Sequence, residues 1–239
     1  SLLGYCLGGT MALLYTARYP EAVKNLILMA TPLDFQQAGL LAAWADKRYF
    51  DADKLIDAFG NLPAEMLQWS FMMLKPATNF TKYVNIPRHL QNKEYIKNFI
   101  ALETWANDNV TVPGELYRRL VKDLYQENQL AEKCFRLAGE TIDLSNIRAS
   151  LLNVIASNDH IVPPPCSAPL LEYVASQDKE QALFPYGHIA LTVSNGAIKE
   201  VWPKTADWLQ QRSGDNLRDS QNSHATVQVK PSLRRKNKN

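Results

Sequence analysis

The sequence predicts an α/β fold, a mostly parallel sheet wound in doubly wound style and interrupted by a large, mainly helical insertion. Three observations predict it. Short apolar runs recur at residues 1–5, 25–31, 150–157 and 181–186, a length that suits strands buried on both faces. Segments with helical periodicity lie between them, so strand and helix alternate. The alternation stops for about 110 residues after Pro32 and then resumes.

The elements follow in order. "SLLGY" reads as the last part of a strand already under way, so the expectation is a C-terminal portion of a longer protein whose earlier strands would pair with this one. From Gly8 to about Arg18, "GGTMALLYTAR" has helical periodicity, and Tyr19-Pro20 closes it. "NLILMAT", residues 25–31, is a buried parallel strand ended by Pro32. Residues 35–145 change texture, with long helical patterns, Trp44, Trp69 and Trp105, and prolines at Pro63, Pro76, Pro87 and Pro113. "SLLNVIAS", residues 150–157, restarts the alternation, followed by the loop "NDHIVPPP" and a helix through "SAPLLEYVA". "QALFPY" is a last short strand, then "GHIAL" and a helix from Lys199 to Gln211. After Ser213 the sequence is polar, with few large apolar groups, and is expected to be disordered. The expected organisation is a core from residues 1–34 and 146–213, an insertion at 35–145 and a basic tail at 214–239.

Composition excludes several classes. A chain of 239 residues with 46% hydrophobic and 21% charged residues can bury a substantial core. Its net charge of +2 is uneven, because residues 214–239 hold six basic and two acidic groups and leave 20 basic against 22 acidic elsewhere. The body therefore has no positive bias towards nucleic acid. Cys6, Cys134 and Cys166 are too widely spaced for a disulfide framework and point to a reducing compartment. No apolar run approaches the roughly 20 residues of a membrane span. No spacing of Cys and His reads as a metal site.

The chemistry lies at the predicted strand ends. Gly4-Tyr5-Cys6-Leu7-Gly8, followed by Gly9, matches Gly-x-nucleophile-x-Gly, in which the nucleophile sits on a strained turn between strand and helix. Cysteine replaces the usual serine. In an open α/β sheet the loops leaving the carboxyl ends of strands gather on one edge. Cys6, Asp159 and His188 all fall at such ends, in the order nucleophile, acid, histidine expected of α/β-hydrolases. Each also has a plain structural use: a packed thiol, a loop-capping aspartate and a strand-end histidine. Their convergence favours catalysis. His160 is the rival base, although neighbouring side chains on an extended loop diverge. His89 lies in the insertion and His224 in the tail, and Cys134 and Cys166 lack a glycine-rich turn and read as structural.

"GYCLGGT", "VKNLILMATPLDF", "WANDNVTVPGELYRRLVKDLYQ", "ASNDHIVPP" and "GHIALTVSNG" together resemble the polyhydroxyalkanoate synthases, most closely the short (class III) catalytic subunits that work with a second subunit. The resemblance runs from Ser1 to about Arg212. It implies the α/β-hydrolase fold, here the C-terminal part of its mostly parallel sheet, with residues 35–145 as a helical cap that covers the site and contributes to dimerisation. It carries the nucleophile onto Cys6, the acid onto Asp159 and the histidine onto His188. The substrate it implies is (R)-3-hydroxyacyl-CoA, polymerised into a growing polyester with release of coenzyme A and with no separate cofactor. It further implies a homodimer or a second synthase subunit, and a cytoplasmic protein on polyester granules. The backbone N–H of Leu7 is the expected oxyanion donor, and a second is expected upstream of Ser1. The resemblance further implies preceding strands and an oxyanion-hole loop, which are expected upstream of Ser1, and it does not extend to the basic tail after Ser213. A cysteine hydrolase of the dienelactone hydrolase type shares the "GYCLGG" box, and a thioesterase or depolymerase fits the same three residues. The 153 positions from Cys6 to Asp159 exceed what a compact hydrolase needs. A non-catalytic, granule-associated fragment is the remaining alternative.

Overall fold

The computed structural model describes residues 1–76, 81, 83–84 and 86–214, so the basic tail beyond Gly214 lies outside the described residues. Four strands, β1 (Leu2–Tyr5), β2 (Asn25–Met29), β5 (Ser150–Ala156) and β6 (Lys179–Phe184), form one parallel sheet in the order β1-β2-β5-β6. A separate antiparallel pair, β3 (Arg136–Leu137) and β4 (Glu140–Thr141), is too short to leave a periodic signal and was not anticipated from sequence. The parallel register runs Leu2 beside Leu26 to Tyr5 beside Met29, then Asn25 beside Ser150 to Met29 beside Val154. β1 and β6 are the edges of this sheet.

The apolar runs become strands because both faces are covered. Successive side chains alternate across a sheet. Leu26, Leu28 and Leu151 pack with Ala12, Leu13 and Ala17 of helix α1 (Leu7–Arg18) on one face. Ile27, Met29, Leu152 and Val154 pack on the other with Val201 and Trp208 of the C-terminal helix (Val201–Ser213). Each such aliphatic side chain stabilises the fold by about 1.5–3 kcal/mol when fully buried.

Between β2 and β5 the chain is mainly helical. It forms α2 (Leu40–Ala45), α3 (Ala52–Phe59), α4 (Ala64–Leu74), α5 (Lys93–Asn107) and α6 (Gly114–Arg119), and α6 continues as a π-helix over Leu120–Gln126. Asp51 caps α3 by accepting from the N–H groups of Asp53 and Lys54, and Asn92 caps α5 by accepting from that of Tyr95. Arg118 ties α6 to α3 through Asp53 at 2.7 Å and Asp57 at 2.5 Å. Leu124, Leu130, Phe135, Ile142 and Leu144 reach back into the core beside α1. The helix expected through "SAPLLEYVA" divides into Pro164–Ser167 and Leu170–Tyr173, because Pro169 has no N–H to continue the first segment. The stretch before the last helix likewise divides into Ala190–Val193 and Asn195–Lys199.

Candidate active site

Cys6 occupies the one residue between β1 and α1 with φ 54° and ψ −127°, a backbone conformation that L residues rarely adopt. Such a conformation costs on the order of 1–3 kcal/mol and persists only where its surroundings hold it. Here the Cys6 N–H donates to the Met29 carbonyl at 2.9 Å, and its own carbonyl accepts from Gly9 at 2.9 Å and Thr10 at 3.3 Å. The glycines divide the remaining work unequally. A Cβ on Gly4 would stand 2.5 Å from the Gly9 Cα, and one on Gly9 would overlap the Thr31 side chain, whereas one on Gly8 meets nothing within 4 Å. The turn therefore depends on Gly4 and Gly9, and Gly8, which completes the sequence motif, is spatially unconstrained. No side chain caps α1. Its leading N–H groups, Leu7 first, have no intrahelical acceptor and form the positive end of the helix next to the thiol.

Asp159 and His188 leave the ends of β5 and β6, both 6% exposed. The two carboxylate oxygens of Asp159 have separate tasks. Oδ1 accepts from the N–H groups of Ile161 at 2.8 Å and Val162 at 2.9 Å, which orients the carboxylate, and Oδ2 meets His188 Nδ1 at 2.6 Å. Cys6 is the other group that favours the charged imidazole. Burial disfavours a charged His188, but the hydrogen bonds and charges of Asp159 and Cys6 outweigh it and raise its pKa from 6.5 to about 9. Asp159 and His188, 29 positions apart in sequence, thus form one imidazole–carboxylate pair, and Cys6 acts on the same imidazole. A thiol served by such a pair can form and resolve a covalent acyl intermediate.

Tyr5 completes the support of His188, a role that sequence reasoning missed. Its hydroxyl donates to the His188 carbonyl at 3.1 Å and its ring lies 4.9 Å from the imidazole. Burial first, then the charges of Cys6 and Asp159, hold the phenol neutral by raising its pKa. Its place beside the nucleophile in the motif was a signal that could have found it.

The rival residues stand apart. His160 makes no hydrogen bond to Asp159, and its Nδ1 is buried without a partner. Burial, then the charge of Lys75, lowers its pKa. Cys166 is fully buried, which with nearby Asp34 and Asp159 pushes its thiol up to about 12, while Cys134 is exposed. The His89 ring packs on Tyr95 at 4.4 Å, and His224 lies outside the described residues. Among the described residues no group of three His, Cys, Asp or Glu could hold a metal, and no helix is long and apolar enough to cross a membrane. One side of Cys6 packs against an apolar cluster. Ala38, Leu41, Ala42 and Tyr125 come from the helical segment and Ile161, Val162 and Cys166 from the loop and helix after β5.

A family model described as the alpha/beta hydrolase fold matches residues 2–194. The chain is 38% identical to the poly(3-hydroxyalkanoate) polymerase subunit PhaC of Haloferax mediterranei over 97% of this chain and 47% of that protein. It is 40% identical to the subunit of the same name from Thiocystis violacea and 36% identical to that from a Synechocystis species, in each case over 89% of this chain and 60% or 58% of the relative. The chain therefore spans about half to three-fifths of the length of these curated relatives. Among solved structures, a monoacylglycerol lipase of Paleococcus ferrophilus matches with a TM-score of 0.52 at 17% identity, covering 88% of this chain and 68% of that one, a likeness of fold.

Proposed function

The chain belongs to the α/β-hydrolase fold family, and from that premise we propose that it carries the Cys-His-Asp centre of an acyltransferase that polymerises (R)-3-hydroxyacyl-CoA into polyester. The observation that carries the reading is His188 bonded to Asp159 at 2.6 Å and charged in preference under the influence of Cys6, which sits on the strained turn. The likeness to polymerase subunits supplies the substrate class.

In this reading the Cys6 sulfur attacks the thioester carbonyl as thiolate, with His188 holding the proton. The oxyanion is met by the Leu7 N–H at the start of α1. The tetrahedral intermediate collapses, the carbon–sulfur bond to coenzyme A breaks, and His188 returns the proton to the departing thiolate. The acyl group is then a thioester of Cys6. A 3-hydroxyl from a second acyl unit attacks it, His188 takes the hydroxyl proton, an ester forms, and Cys6 leaves as thiolate. Asp159 orients the ring and stabilises its charge without taking the proton.

Residues 35–145 serve as the cap in this proposal, supported by the contribution of Ala38, Leu41, Ala42 and Tyr125 to the apolar cluster on one side of Cys6. The exposed Trp69 and Trp105 side chains give that segment an apolar surface suited to a second copy or a second synthase subunit. The polyester granule is the proposed site of action. The test is to supply 3-hydroxybutyryl-CoA and follow coenzyme A, free acid and polymer together. Coenzyme A with polymer is the expected result. Coenzyme A with free acid alone would make the protein a hydrolase, and no release from folded protein would make it a binding protein.

A further inference from the structure

We infer that an open groove along the N-terminal half of α5 (Lys93–Asn107) docks the protein on an anionic lipid surface. The groove has a volume of about 400 Å³ and is lined by Leu90, Lys93, Ile96, Lys97 and Ile100. Its four helical residues are spaced i, i+3, i+4 and i+7, which sets their side chains along one face. The isoleucines make that face apolar and the lysines make it cationic.

Neither property is used within the fold. An amphipathic helix ordinarily buries its apolar stripe, yet no residue of α5 is buried, and Leu90 and Ile100 are 62% and 57% exposed. Among the described residues, Lys93 and Lys97 make no ion pair or hydrogen bond. The groove is lined by no acidic side chain. Glu94 is the next residue after Lys93, but adjacent helical residues do not face each other. Lys93 is also the first residue of α5, where the helix already presents positive partial charge. An anion on this face meets both lysines and the end of the helix together.

These features select the occupant. Branched aliphatic side chains that can enter the acyl boundary, beside lysines whose stems line the groove while their heads reach phosphate, are the arrangement of a helix lying on an anionic interface. A second copy docked groove to groove would set lysines against lysines. Composition supplies a second attraction. Residues 214–239 hold six basic groups against two acidic ones, four of the six between Arg234 and Lys238, and stable anchoring at a lipid surface takes two such signals. This docking is independent of the reaction proposed for Cys6.

The experiment mixes the full chain with vesicles of phosphatidylcholine, alone or with an equal amount of phosphatidylglycerol, and measures bound protein by sedimentation over a range of salt. The wild type is expected to bind the mixed vesicles, to bind phosphatidylcholine alone far less, and to be released as salt rises. Replacing both lysines, Lys93→Gln with Lys97→Gln, is expected to weaken binding to the mixed vesicles by about 20–30-fold, roughly fivefold for each lysine, with the melting temperature unchanged. Ile100→Ser is expected to weaken binding without changing its salt dependence. Equal binding by the wild type and the double variant would assign the contact to residues 214–239 alone and overturn the inference. Absence of binding to the mixed vesicles would overturn it in favour of an acidic protein surface, and loss of self-association instead of vesicle binding in the double variant would overturn it in favour of a second copy. No turnover is needed for these measurements, so their failure would leave the acyltransferase reading standing.

Discussion

Asp159→Asn separates two parts of the proposed reaction that share one histidine. The amide is isosteric with the carboxylate, and its oxygen can keep both backbone bonds, from Ile161 at 2.8 Å and Val162 at 2.9 Å. What changes is the atom facing His188 Nδ1 at 2.6 Å, where an acceptor becomes an N–H₂ donor. A donor there selects the tautomer whose proton sits on Nε2, the wrong form for a base. It also removes the first of the interactions that raise the His188 pKa from 6.5 to about 9. That rise is equivalent to about 3 kcal/mol of preference for the charged imidazole in the folded state, shared between Asp159 and Cys6. Elongation, which needs the correct tautomer to take a hydroxyl proton, should fall by about 10³–10⁴-fold. The first acylation, in which Asp159 supports the thiolate only indirectly, should fall much less. Rapid-quench comparison of labelled enzyme with polymer formed measures both. An Asp159→Asn protein that fails to acylate as completely as Cys6→Ala would refute the division of roles. Stability gives a second reading: because the folded pKa of His188 is raised, its contribution is fully present below pH 6.5 and is lost as the pH climbs through about 9. The stability gap between wild type and Asp159→Asn, measured by urea unfolding, should therefore shrink over that window.

Three further outcomes follow from the site's geometry. Gly9→Ala should destabilise the fold by about 2 kcal/mol or more through overlap with Thr31, while Gly8→Ala, with open space around it, should leave the melting temperature nearly unchanged. Alkylation at pH 8 should modify Cys134 without loss of turnover, spare the buried Cys166, and inactivate in proportion to modification of Cys6, as peptide mapping would show. Tyr5→Phe, which removes the hydrogen bond to the His188 carbonyl at 3.1 Å, should lower kcat about threefold to tenfold with little change in KM, and a KM effect alone would count against a positioning role.

By itself the sequence determined the parallel α/β core and the residues of the proposed centre. Both are written locally. Runs such as "NLILM" and "SLLNVIA" state their own strand character through unbroken apolar content, and Cys6, Asp159 and His188 follow strands whose ends gather on one edge of a parallel sheet. Other decisions belonged to tertiary structure. The motif pairs Gly4 with Gly8, but the close approach of Thr31 makes Gly9 the glycine that matters. "DH" at 159–160 offers Asp159 two histidines, and only the packing of β5 against β6 sets His188, 29 positions away, on its Oδ2 while His160 Nδ1 is left without a partner. Tyr125 shares an apolar cluster with Cys6, a placement that depends on how the helical segment returns to the sheet. Periodicity and turn chemistry describe a residue's neighbours along the chain. Contacts across a hundred positions are settled by which faces must be buried together, and those are the contacts that give His188 its carboxylate and the thiol its apolar cluster.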